Sequence, residues 1–180
     1  MLESINVLAV LKGHLRGFQN PTTGRTRRPD VALHYAVPLG IGVLWALLGR
    51  PVHSLGNLIG GLAILTGLFF GLLVFVFELR LQLDERVQHQ RSTRLVGLID
   101  VLFSNSAYAA LISGLTAVVT VVVDLLWGGT GTHPLPTLAV AVVLVLGAHL
   151  TLTGALLIRH AYAAYTELVQ DRRRARAAKL

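Results

Sequence analysis

The chain has 180 residues, 53% of them hydrophobic and only 14% charged, with a formal net charge of +7 and no cysteine. So apolar a composition, with a mean hydropathy of +0.64, lies outside the range of ordinary soluble domains and leaves no length for a separate soluble catalytic module. Disulfides, thiolate metal sites and thiol catalysis are excluded together.

Residues 1–19 read as a short amphipathic helix with Ile5, Leu8, Leu11, Leu15 and Phe18 on one stripe. They lack a basic n-region and an A-x-A site, so a signal peptide is not expected. Two placements are open for this helix. It can anchor at the headgroup interface, apolar side down, or act as a plug or latch beneath the mouth of an assembly. Asn20-Pro21 and Thr23-Gly24 then mark a turn. The basic Arg25, Arg27 and Arg28 complete an N-terminal unit, 1–30.

Four apolar stretches follow within residues 31–158, at about 31–48, 56–77, 107–127 and 135–158. At 1.5 Å per helical residue, each is long enough to cross a hydrocarbon core of about 30 Å. The first carries His34, Tyr35 and Pro38. In the second, Gly56, Gly60, Gly67 and Gly71 share a face with Ala63, a pattern that lets another helix approach closely within or between subunits.

Beyond Phe77, the stripe of Leu79, Leu83 and Val87 predicts that the second span runs on to about residue 91. Residues 93–103 then read as a second amphipathic helix, and Ser104-Asn105-Ser106 as the cap that starts the third span. Residues 78–103 are thus expected to be a cytoplasmic helical extension. The third span places Ser106, Ala110, Ser113, Ala117, Thr120 and Asp124 on one face. Ser106, Ser113, Ala117, Thr120 and Asp124 are candidates to line a pore, because hydroxyls can replace part of an ion's hydration and a ring of Asp favours cations. The alternative is helix packing, with Asp124 paired to Arg50. The fourth span carries His149, read as a proton relay or as a neutral histidine bonded to a neighbouring helix. Residues 159–180 form a basic C-terminal helix or tail.

Charge sets the topology. Fifteen of the sixteen Lys and Arg residues fall on one side of a four-span fold, Arg50 being the exception. The positive-inside rule assigns that side, and both termini, to the cytoplasm. Trp45 and Trp127 at the outer ends, with Tyr35, Tyr108 and Tyr162 near the inner ends, agree with it. The expected fold is all-α: four transmembrane helices in two hairpins. An excess of Arg over Lys in an Ala-, Gly-, Leu- and Val-rich chain hints at a bacterium with a GC-rich genome, hence its inner membrane.

Enzymatic motifs are absent, His89 and His160 stand isolated, and neither a metal nor a cofactor is expected. The cytoplasmic Arg25, Arg27, Arg28, Arg86, Arg91 and Arg94 can hold an anionic ligand such as a nucleotide or oligonucleotide, since guanidinium binds phosphate in bidentate fashion. Alternatively they only set topology against anionic lipid.

Four spans leave little interior for a solute path, so a homo-oligomer with a central pore uses the chain better than a monomeric carrier. Size, span count, the N-terminal amphipathic segment and the basic inner surface together resemble the small four-span membrane effectors of bacterial anti-phage defence. That resemblance implies an oligomeric channel, a tetramer being one size, opened by a nucleotide-type signal. The alternatives are a small proton-coupled transporter subunit using His149 and Asp124, and a membrane anchor for a soluble partner.

Overall fold

The computed structural model describes residues 7–18, 28–86, 93–128 and 134–177, and these are helical apart from short turns. In chain order the helices are α1 (Val7–Arg16), α2 (Arg28–Leu48), α3 (Gly56–Arg86), α4 (Thr93–Val123) and α5 (Thr137–Ala177). A π-helical turn, Asp124–Gly128, ends α4. Four helices are long and apolar enough to cross a membrane, over Arg28–Leu48, Gly56–Gln82, Leu95–Gly128 and Thr137–Gln170. This is a multi-pass membrane protein.

The helices outrun the apolar stretches. With 31 residues each, α3 and α4 span about 46 Å, and the 41 residues of α5 about 62 Å. All three project past a core of about 30 Å at the end carrying the basic segments, here the basic end. Residues 87–92, where the second span was expected to stop, lie outside the described residues.

One expected boundary is absent. No cap separates residues 93–103 from the third span, because α4 runs unbroken from Thr93. The side chains of Ser104, Asn105 and Ser106 instead donate to the carbonyls of Asp100, Val101 and Leu102, one turn back. Ser and Asn can cap a helix or bond back along it, and the second use leaves the backbone ladder intact.

Helix α3 packs along α4, α4 along α5, and α5 along α2. The order across the bundle is therefore α3, α4, α5, α2. Helices α2 and α3 are joined by a short turn, with Gly49 in the left-handed region at φ 60°, yet they do not pack along each other. Apolar clusters close the two ends. Val76, Leu95, Ile99, Leu102, Ala109 and Leu157 form one, and Leu55, Val123, Leu135, Val140 and Val143 the other. At the second, the turns are tied by Leu135 N–H donating to the Val52 carbonyl at 2.7 Å.

Much of α2 and α3 faces outward with large apolar side chains, among them Leu44, Leu47, Ile64, Leu68, Phe70 and Phe75. In lipid this is the expected arrangement, since the solvent is itself apolar. Helix α1 lies against α4 at the basic end.

Candidate functional site: a buried histidine seam beneath the first helix

The interior of this protein is polar where its exterior is not. Four histidines from three helices meet at the basic end: His14 from α1, His34 from α2, and His149 and His160 from α5. Buried beside them are Asn105 and Thr153, and Tyr35 and Tyr108 complete the cluster.

His14 is fully buried and is the centre of the docking of α1. Its Nδ1–H donates to Asn105 Oδ1 at 2.8 Å, and its ring stacks on Tyr108 with centroids 3.8 Å apart. The direction is set by Asn105, whose Nδ2 already donates to Val101. His14 Nε2 is buried without a partner. Burial holds the His14 imidazole down to about 4, against the ordinary 6.5, and the Asn105 bond offsets only part of that.

Glycine makes the close approach possible. A Cβ on Gly13 would stand 2.7 Å from Ser104 Cβ, and one on Gly17 would stand 2.6 Å from Asn105 Nδ2. Gly13 and Gly17, four apart, therefore place α1 directly on the Ser104-Asn105 segment of α4. The end of α1 turns tightly, with Gly17 N–H on the His14 carbonyl at 2.9 Å. His160 Nε2–H then donates to the Gly17 carbonyl at 3.1 Å, so α5 holds the same turn. Phe18 is buried edge-on to His34 at 5.0 Å and to His14 at 5.3 Å.

The seam continues into the spans. Tyr108 O–H donates to His149 Nε2 at 2.8 Å, leaving the other ring nitrogen of His149 for the His34 backbone carbonyl. That carbonyl is available for a reason legible in the chain. Pro38, four residues on, has no N–H to give it. The His34 and His149 rings meet at 4.7 Å, and Thr153 Oγ1 lies 3.4 Å from His34 Nε2 while donating to the His149 carbonyl at 2.9 Å. A groove of about 280 Å³ opens beside the seam, lined by Phe18, Leu33, His34 and Leu156, with Asp30 and Arg159 3.4 Å apart at its rim.

Several expectations are placed differently. Leu11 and Leu15 face outward at 40% and 41% exposure, whereas Phe18 faces in. The face of α1 that meets protein is thus His14, Gly13 and Gly17, not the leucine stripe. Ile5 lies outside the described residues, as does the side chain of Leu8.

On α4, Ser106, Ser113 and Thr120 are fully buried inside the chain, each hydroxyl bonded to a carbonyl of its own helix, with Ala117 half-buried between them. Within one chain that stripe packs helix against helix. Asp124 does not pair with Arg50. It accepts the Leu55 N–H at 2.7 Å and so secures the start of α3.

The glycines of α3 stand in the open. No atom lies within 4 Å of a Cβ built on Gly60, Gly67 or Gly71, and Gly56 meets only Ser54 at 3.4 Å. Of the arginines, Arg28 is exposed at the start of α2, and Arg86 and Arg94 sit at the adjoining ends of α3 and α4. Arg25, Arg27 and Arg91 lie outside the described residues, as does His89. The seam's essential residues, His14, Asn105, Gly13 and Gly17, could have been found from Gly13-x-x-x-Gly17 framing a histidine on the polar side of a membrane-associated helix.

Chemically, the seam is a set of hydrogen-bonded imidazoles, phenols and amides that can hold or pass a proton and can fix one helix on another. Among the described residues, no three His, Cys, Asp or Glu side chains are grouped to hold a metal ion. Family models, curated proteins and solved structures yield no match to this chain, so its own geometry carries the functional reading.

Proposed function

We propose that this protein is a homo-oligomeric channel or pore of a bacterial inner membrane, closed from the cytoplasmic side by α1. The observation that carries the reading is the orientation of α1. An interfacial anchor buries its apolar stripe and leaves its polar face to water. Here the polar, small face is inserted into the bundle through His14, Gly13 and Gly17, while Leu11 and Leu15 turn outward. Such docking is specific and reversible, held by a few hydrogen bonds and rings rather than by a large apolar interface.

Opening is a population shift, in which an anionic, nucleotide-like ligand on the basic surface favours the undocked arrangement. Arg28 opens the first span, and Arg86 and Arg94 are the last residue of α3 and the second of α4; these three are the proposed contacts for the ligand. The likeness in size and span count to small anti-phage effectors favours a defensive role.

Deleting residues 2–18 should raise membrane leakage or toxicity on expression. An unchanged phenotype in a variant shown to insert would remove the gate. Charge reversal at Arg27, Arg28 and Arg91 should abolish the ligand response and leave insertion intact. Native mass spectrometry in detergent should find an oligomer, and a monomer would remove the central pore.

The Tyr108–His149–His34 contacts also favour a second reading, a proton-coupled carrier. Saturable uptake that depends on proton-motive force and is lost in His149→Ala would select it.

A further inference from the structure

Protonation of the buried seam bears directly on whether α1 can stay in place. We infer that α1 is a proton-released latch, in which a second proton on His14 is compatible only with the undocked helix. The inference rests on the reading of α1 as the movable gate, and it names the regulation of that site.

The geometry is specific. His14 already uses Nδ1–H on Asn105, so an added proton goes to Nε2, which is enclosed and faces no acceptor. A buried N–H without a partner is costly, and a buried unpaired charge more so. Undocked, the same imidazolium is hydrated and carries no such cost.

Among the described residues, nothing packed around His14 supplies a compensating negative charge. Helix α2 presents His34 at 5.6 Å, with Tyr35 behind it. Helix α4 presents Tyr108 and Asn105. Helix α5 presents His149 and His160, both of which would repel a charged His14. On α1 itself, Lys12 is exposed. The acids lie elsewhere: Asp30 faces Arg159 at 3.4 Å, Asp100 receives Arg80 at 2.7 Å on the α3 side, and Glu167 is two turns beyond His160 on α5. His160 also holds the docked turn through the Gly17 carbonyl, so the same chain of contacts ends on α1 twice.

The sign follows from linkage. The docked helix holds His14 down to about 4, and the undocked helix returns it to 6.5. Docking is therefore fully present above 6.5 and weakens as the pH falls, by about tenfold per pH unit until the docked imidazole itself titrates near 4.

The chain has no cysteine, which makes site-directed labelling direct. Spin labels at Leu11→Cys and Tyr162→Cys, both exposed positions, report the α1–α5 distance in full-length protein in nanodiscs. From pH 7.5 to 5.5 the undocked-to-docked ratio should rise about tenfold. His14→Gln, which keeps a donor for Asn105 but does not titrate, should hold one ratio across that range. Asn105→Asp, which places a carboxylate at Nδ1, should suppress release between pH 7 and 5 by keeping a charged His14 docked.

A distance distribution unchanged down to pH 5, or a His14→Gln protein with the full pH response, overturns the latch. If His14→Gln is undocked at every pH, the wild-type and Asn105→Asp titrations decide alone. The readout is the position of α1, not conduction. Release on acidification without any leakage would refute the gate and leave the latch standing, whereas leakage on deleting residues 2–18 without release on acidification would do the reverse.

Discussion

Two glycine faces in this chain meet opposite fates. On α1, Gly13 and Gly17 touch Ser104 and Asn105 so closely that a methyl group at either would collide. On α3, Gly60, Gly67 and Gly71 form the longer and more obvious small-residue face, and nothing of their own chain comes near it. The difference comes from what surrounds each face. A small residue helps only where a partner offers contact or hydrogen bonds to gain, because in lipid apolar burial contributes no driving force between helices. Asn105, Ser104, Tyr108 and His160 supply such gains to α1.

The comparison breaks most visibly by adding bulk. Gly17→Val, or Gly13→Val, should displace α1, since overpacking costs about 1–3 kcal/mol and the docked surface is small. Protease sensitivity of α1 in membranes measures it. Gly67→Val and Gly71→Val should leave α1 and the monomer fold unchanged. A loss of self-association in those two variants would identify α3 as a contact between copies.

Removing polar partners should have smaller effects. Asn105→Ala strands His14 Nδ1–H and is expected to weaken docking by about 1–3 kcal/mol, read as increased α1 cleavage at neutral pH. Tyr108→Phe keeps the stacked ring and loses only the hydroxyl on His149. It should cost about 1 kcal/mol in thermal unfolding and disturb α1 less. At the bottom of the scale, Asp100→Asn removes the exposed ion pair to Arg80, worth less than about 1 kcal/mol, and should leave both readouts unmoved.

Hydropathy made the four spans legible, because a segment that crosses lipid must be apolar over a length set by the bilayer. Helix pairing was not legible. Short connections favour neighbours, yet α2 packs on α5 rather than α3, with His34 and Gly42 meeting α5. Gly42, for instance, lies against Val145.

The site was half visible. His149 and His34 stood out as polar groups within spans, and Pro38 marks the freed carbonyl that joins them. His14 did not, for a physical reason. Both placements open to an amphipathic helix, anchor and plug, are argued from its leucine stripe, whereas α1 meets the bundle through His14 and its glycines. Ser104-Asn105-Ser106 misled in the same way, since one set of side chains serves equally as a helix cap or as bonds back along an unbroken helix.

The central claim is that α1 sits on α4 by its polar, glycine-bearing face. Oxidative cross-linking of Gly17→Cys with Asn105→Cys in intact membranes tests it directly, because the second substitution removes the amide that a side chain at 17 would strike; Leu15→Cys with Asn105→Cys is the reference pair and carries the same loss of the His14 bond. The account predicts a rapid intrachain disulfide for the first pair and little for the second. Equal cross-linking of both pairs, or preference for Leu15, would contradict it.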